Sequence, residues 1–140
     1  MSGEGAAAVS NVAIAVIGDG CAGLSLAARS TSLPNHTMHL FSPQSNSLIN
    51  NHVWGYWQMD WMKYVAPLTF KTWYKWSVKT EGAEVEMQAC YHPYKAVKRD
   101  SWLAHCLKNA KQNGVKFHNT LPSITEFSND QVFDSRPPKW

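Results

Sequence analysis

Six consecutive apolar residues, Val12 to Ile17, stop at a glycine, which is how a strand buried on both faces reads. Ala22 to Arg29 then holds good helix formers, with Leu24, Leu26, Ala27 and Ala28, and Pro34 follows a few residues after its end, so the pattern predicts a short helix. Met38 to Phe41 offers a second short strand that Pro43 closes. The first forty-odd residues therefore read strand, helix, strand, and two parallel strands joined by a crossover helix are right-handed in nearly all cases.

Ser45 to Asn51 is rich in Ser and Asn and reads as a loop leading into the densest aromatic region, with Trp54, Tyr56, Trp57, Trp61, Tyr64, Phe70, Trp73, Tyr74 and Trp76. Trp73 to Thr80 and Ala83 to Tyr91 flank Glu81-Gly82, and the alternation of Val85, Met87 and Ala89 predicts a hairpin packed on one face. Asp100 is placed as the N-cap of a helix whose residues Trp102, Leu103, Cys106, Leu107 and Ala110 share a face. Lys108 and Lys111 stand near its end and Gly114 just beyond it. Lys98-Arg99 before it reads as a solvated basic pair. Val115 to His118, Ser123 to Phe127 and Gln131 to Phe133 follow as short strands. The class this predicts is α/β, a Rossmann-like dinucleotide-binding domain over residues 1–140 with a β-hairpin insertion.

Composition narrows the class. A chain of 140 residues with 44% apolar content has room for one domain with a real core. The net charge of +3 comes from scattered lysines without a run of like charges. That favours a solvated basic face, or anionic partners such as lipid headgroups or a dinucleotide phosphate, over nucleic acid. Cys21, Cys90 and Cys106 are odd in number and lack CxxC spacing, which argues against a disulfide framework or zinc knuckle and for a reducing, cytoplasmic compartment. His36, His39, His92, His105 and His118 lack metal-ligand spacing, so no metal is expected. The opening MSGEGAAAVSN has neither the basic nor the apolar region of a secretory signal. The longest apolar stretch is broken by glycines and Asp19, short of the roughly 18 residues a spanning helix needs.

Gly18-Asp-Gly-Cys-Ala-Gly23 is a complete G-x-G-x-x-G directly after a predicted strand and directly before a predicted helix, the context that gives the pattern weight. Gly18 permits the tight turn, Gly20 lets the backbone approach a pyrophosphate, and Gly23 lets helix and strand pack closely. The amides of the turn, Cys21 and Ala22 among them, face the phosphates. Against this stands a glycine-rich turn with no ligand. An acidic residue usually binds the ribose about 20 positions on, but strand two ends Leu40-Phe-Ser-Pro-Gln44, so Ser42 or Gln44 takes that place. Asp19 would have to point away from the phosphates.

Val16-Ile-Gly-Asp-Gly-Cys-Ala-Gly-Leu-Ser-Leu-Ala27 and the later Asn51-His-Val-Trp54 together resemble lycopene cyclases. The first motif is shared with many flavoproteins; the second, trailed by tryptophans, is more specific. Val65-Ala-Pro-Leu68 and Asp134-Ser-Arg-Pro137 look like further segments of the same family. The resemblance implies the N-terminal FAD- and NAD(P)-binding part of a lycopene beta-cyclase. Such an enzyme isomerises the linear carotenoid hydrocarbon lycopene to a beta-ringed carotene, with reduced FAD as cofactor and NADPH as its reductant. It also implies that the carboxylate motif assigned to acid catalysis lies in a C-terminal region beyond this chain. Catalytic residues are accordingly unassigned, and the chain is expected to be a fragment inactive by itself. By the resemblance, Cys21 is expected to pack rather than react.

The aromatic block admits three readings: a hydrocarbon pocket, a membrane-interface patch, and an ordinary core. Core packing is expected for any single aromatic. The block as a whole, with Lys63, Lys71 and Lys75 interleaved, suits pocket and peripheral membrane surface together. His52, Trp54, Trp57 and Trp61 are its candidate substrate or interface residues. Two other functions fit the first motif: another FAD- or NAD(P)-dependent oxidoreductase, and a non-catalytic dinucleotide- or lipid-binding remnant.

Overall fold

The computed structural model describes residues 12–42, 52–123, 127 and 131–136. The opening eleven residues, the Ser45 to Asn51 loop with Gln44, positions 124–126 of the expected Ser123 to Phe127 strand, and the end from Pro137 lie outside the described residues. Along the chain run β1 (Val12–Ile17), α1 (Cys21–Ala27), β2 (His36–Phe41), β3 (Val53–Trp57), β4 (Thr69–Trp73), β5 (Lys75–Lys79), β6 (Glu84–Gln88), β7 (Tyr94–Lys98), α2 (Arg99–Gln112), β8 (Lys116–His118) and β9 (Val132–Asp134). Residues fall into two compact units, Met1–Asn46 with His105–Trp140, and Ser47–Ala104.

The first unit is built on a parallel sheet in the order β8-β2-β1-β9. β1 aligns with β2 from Val12 opposite His36 to Ile17 opposite Phe41, and β8 and β9 extend the sheet on either side. Side chains alternate across a strand. Ala13, Ala15, Ile17 and Phe41 gather with Phe127 on one face, while Val16, Met38 and Leu40 point to the other and are at most 3% exposed. Burying Leu40 alone stabilises by about 2 kcal/mol. From α1, Gly23, Leu24 and Ala27 are buried. The Asn113 side chain donates to the Ala28 carbonyl at 2.9 Å, tying the end of one helical segment to the other.

α2 stops where its sequence says it should. Gly114 takes a left-handed φ of 77°, its amide reaches the Lys111 carbonyl, and the Val115 amide reaches Ala110. This is the paired closure that satisfies the last carbonyls of a helix and that glycine adopts without strain. The start differs from expectation: α2 begins at Arg99, so Asp100 stands in the first turn instead of capping it. Nor is Arg99 solvated. Its side chain is 17% exposed and lies 3.5 Å from the Asp100 carboxylate.

The second unit holds an antiparallel sheet in the order β3-β7-β4 and a separate hairpin, β5 with β6. The hairpin is the predicted one, and Val78 stands opposite Val85 as Trp76 does opposite Met87. Its apolar face, however, is not packed as expected: Val78, Val85 and Met87 are each about half exposed. The reverse face carries the ion pairs Lys75–Glu86 and Lys79–Glu84. In the sheet, Gly55 faces Ala96. A Cβ there would collide with the Tyr94 phenol, so the missing side chain lets Tyr94 lie across β3. The strands β3, β4 and β7 escaped the pattern reading because aromatic residues occupy both faces of β3 and lysines interrupt β7.

Candidate functional site: the glycine turn and the aromatic cluster

At the carboxyl ends of β1 and β2 the chain makes the turn from Gly18 to Gly23. The Gly18 amide donates to the Phe41 carbonyl at 2.8 Å and its φ is 101°, a conformation that L side chains rarely adopt. Gly23 starts the helix against the turn itself, since a Cβ at that position would stand 2.0 Å from the Gly18 carbonyl oxygen. Gly20 is different. Its backbone is extended, with φ −73° and ψ −168°, so any residue could adopt it, and a Cβ there would meet nothing within 4 Å. Neither strain nor packing requires glycine at position 20; close approach by a ligand would. The space beside Gly20 thus fits a pyrophosphate brought against the backbone.

Cys21 and Ala22 follow at the exposed start of α1. Cys21 is a free, exposed thiol, not the packed residue expected, because the first position of the helix faces outward while Gly23 and Leu24 face in. Cys106, by contrast, is 2% exposed, and burial pushes its thiol up to about 11. Ser42 sits half-buried just past β2, and its amide continues the sheet by donating to the His118 carbonyl at 2.8 Å. The described end of β2 carries no carboxylate, as its sequence shows.

Sequence reasoning gave no role to the three residues that close the far side of the turn. The Ser135 amide donates to the Ile17 carbonyl at 2.8 Å. Its hydroxyl donates to the same oxygen at 2.9 Å and approaches the Gly18 carbonyl at 3.3 Å. Asp134 and Arg136 form a two-point pair, Nε to Oδ1 at 2.9 Å and Nη2 to Oδ2 at 2.6 Å. Hydrogen bonding to Arg136 holds the Asp134 carboxyl below the usual carboxylate range. The signal available beforehand was the Asp-Ser-Arg-Pro segment directly after a short strand.

The second unit gathers part of the aromatic block. The Trp57 ring lies 4.9 Å from Tyr94 and 5.6 Å from Trp76, and Trp73 lies 5.9 Å from Tyr94. Trp54 is not in this cluster. It is half-buried opposite Val97 on β3, three residues from Trp57 and so on the other face. Trp61 stands apart in a short turn at 67% exposure. His52 is exposed, and its carbonyl accepts the Arg99 amide at 2.9 Å. Core packing, expected for any one aromatic, fails throughout. Of the nine from Trp54 to Trp76, five are exposed and the other four only half-buried, since a sheet with rings on both faces has too few partners to cover them.

Glu84 and Glu86 are paired with lysines on the polar face of the hairpin, and Asp60 is exposed. No helix among the described residues is long and apolar enough to cross a membrane.

Solved structures of similar fold include an oxygenase, a dihydroxylase and a protein in complex with FAD. A 2-methyl-3-hydroxypyridine-5-carboxylic acid oxygenase shares 15% identity at a TM-score of 0.57, matching 77% of this chain and 31% of its own. The peptidyl tryptophan dihydroxylase QhpG shares 13% at 0.51, over 82% and 27%. CtdE in complex with FAD shares 13% at 0.50, over 80% and 31%. This chain thus spans under a third of their length, and the likeness is one of fold: a Rossmann-like α/β unit. No curated protein sequence matches it. The model of the family described as lycopene cyclase protein matches residues 13–133, a span that takes in the glycine turn, the aromatic block and most of β9. On that match the chain belongs to the lycopene cyclase family.

Proposed function

We propose that this chain forms the dinucleotide-binding part of a lycopene cyclase and binds FAD at the glycine turn. The open space beside Gly20 carries the reading, because it is the one glycine of the three that the protein's own packing does not explain. Gly18, Gly20, Cys21, Ala22 and Gly23 would present the backbone to the pyrophosphate, and Ser42 would reach the ribose in place of an acid. Bound in reduced form, with NADPH as the reductant, the flavin would supply electron density near a developing positive charge.

The whole enzyme would protonate a terminal double bond of lycopene, close the ring through a carbocation and release a proton, with no net oxidation. Trp57, Trp73 and Tyr94 are ring faces that could oppose such a charge. With Trp57 and Trp73 exposed and Tyr94 half-buried, each would contribute about 0.5–1 kcal/mol, against about 2 kcal/mol if desolvated. Asp60, Glu84 and Glu86 are exposed, so none of these three is a buried acid of suitable pKa. Expressed in a lycopene-accumulating cell the chain alone should leave lycopene unchanged; beta-carotene in the extract would show that Asp60, Glu84 or Glu86 suffices.

The deciding experiment on the cofactor is a flavin titration of wild type and Gly20→Val. The substitution should leave the thermal midpoint within a few degrees and remove FAD binding. Equal retention of FAD by both would end the proposal. The aromatic cluster and its lysines we assign to a peripheral membrane surface on the cytoplasmic side, where the hydrocarbon substrate dissolves. Vesicles containing anionic lipid should pellet the chain and shift its tryptophan emission blue. Each lysine at the surface should add about 1 kcal/mol, lost at high salt. No pelleting at low salt would remove the membrane role.

A further inference from the structure

We propose that Arg136 is the cation that meets the pyrophosphate of a dinucleotide at the glycine turn, held in place by Asp134 and Ser135; the inference rests on the dinucleotide reading above. Between Gly18 and Gly23 the turn carries one charged residue, Asp19, and its charge is negative. A pyrophosphate brought to Gly20 would gain from a cation beside the turn's backbone amides. The cation comes from the neighbouring strand. The absent Cβ of Gly18 would point at the Ser135 hydroxyl, 2.6 Å away, and at the Arg136 Cγ, 3.4 Å away. Glycine at 18 thus serves two ends: it permits the turn, and it leaves room for the Asp134-Ser135-Arg136 segment to lie against it.

Ser135 sets the distance. Its amide and hydroxyl both hold the Ile17 carbonyl, with the hydroxyl also approaching that of Gly18, so the segment and the turn move as one piece. Asp134 sets the direction. It takes the Nε and one Nη2 proton of the guanidinium, two of five N–H donors, and the remaining three suit phosphate oxygens. With 42% of its side chain exposed, Arg136 is accessible to such a ligand. An exposed ion pair contributes little to stability, so holding the fold together is a weak reason for this geometry.

The test titrates FAD, ADP and adenosine separately into the folded chain, for wild type, Arg136→Gln, Arg136→Lys and Asp134→Asn, with the thermal midpoint of each recorded. Arg136→Gln should weaken FAD and ADP about tenfold, the scale of one lost charge-assisted contact, and leave adenosine, which has no phosphate, unchanged. Arg136→Lys, which keeps the charge but not the fork, should fall between and guards against a glutamine variant that fails to fold. Asp134→Asn can accept from only one of the two guanidinium N–H groups, so FAD and ADP should bind more weakly than to wild type with adenosine unchanged, and undiminished FAD binding would remove Asp134 from the positioning of Arg136. If wild type binds FAD and Arg136→Gln binds it equally, the role of Arg136 is overturned while the cofactor reading stands. If wild type binds neither FAD nor ADP, both fall.

Discussion

The two units of this chain solve the problem of burial in different ways. In the parallel-sheet unit, Ala15, Val16 and Leu40 are within 1% of complete burial, and the ends of β1 and β2 meet at the glycine turn, where the Gly18 amide donates to the Phe41 carbonyl. The antiparallel unit buries Val65, Val97, Trp102 and Leu103 but leaves many large side chains outside: Trp61 is 67% exposed, Tyr74 59% and Val85 53%. The first unit has its core, and the backbone of its glycine turn is held in shape against that core. The second has, beside its smaller core, a surface in which rings touch one another at 5–6 Å without being fully covered.

Substitutions can break this contrast. The largest effect should come from Gly23→Val, where a Cβ 2.0 Å from the Gly18 carbonyl has no rotamer to escape into. Overlap with backbone should cost about 4 kcal/mol, read as a shifted denaturant midpoint, and a midpoint within error of wild type would show that α1 does not seat on the turn. Next comes the matched pair Leu40→Ala and Val85→Ala. The first empties a site 1% exposed and should cost about 3 kcal/mol. The second, on the open hairpin, should cost under about 0.5 kcal/mol. Equal costs would erase the distinction between the units.

A smaller effect follows from Cys106. Its thiol, ordinarily at 9.0, is raised to about 11 by burial, partly offset by a hydrogen bond with Ser25. A folded-state value above the unfolded one means that the folded protein holds its proton longer. The stability is therefore present below pH 9 and is lost as pH rises through about 11, amounting to under about 3 kcal/mol. Cys106→Ala, which removes the titrating group, should flatten that part of the pH profile. At neutral pH an alkylating reagent should modify the exposed Cys21 and Cys90 and spare Cys106. Smallest of all, Lys75→Ala should change stability by less than about 0.5 kcal/mol, because Lys75 and Glu86 are each about two-thirds exposed.

Much of the first unit was legible beforehand. The run Val12 to Ile17 is β1 to the residue, since a strand buried on both faces shows unbroken apolar character and glycine ends it. The Gly114 stop of α2 was equally plain, because a left-handed closure demands glycine. The hairpin at Glu81-Gly82 was readable from its turn. The strands β3, β4 and β7 were not, since pattern reading depends on one face being wet and the other dry. Here tryptophan and tyrosine occupy both faces of β3, and their exposure depends on what else the chain places over them.

The sequence by itself therefore determined the strand-glycine-helix turn and the family, because local spacing and backbone conformation settle both. Only the tertiary structure decided which glycine leaves open space, that Trp57 and Trp54 part company across a sheet, and that Ser135 and Arg136 come to the turn. Those outcomes hinge on contacts between residues as far apart as 118 positions, Ser135 to Ile17. Such pairings are fixed by the register of a parallel sheet, and no local pattern in the chain encodes that register.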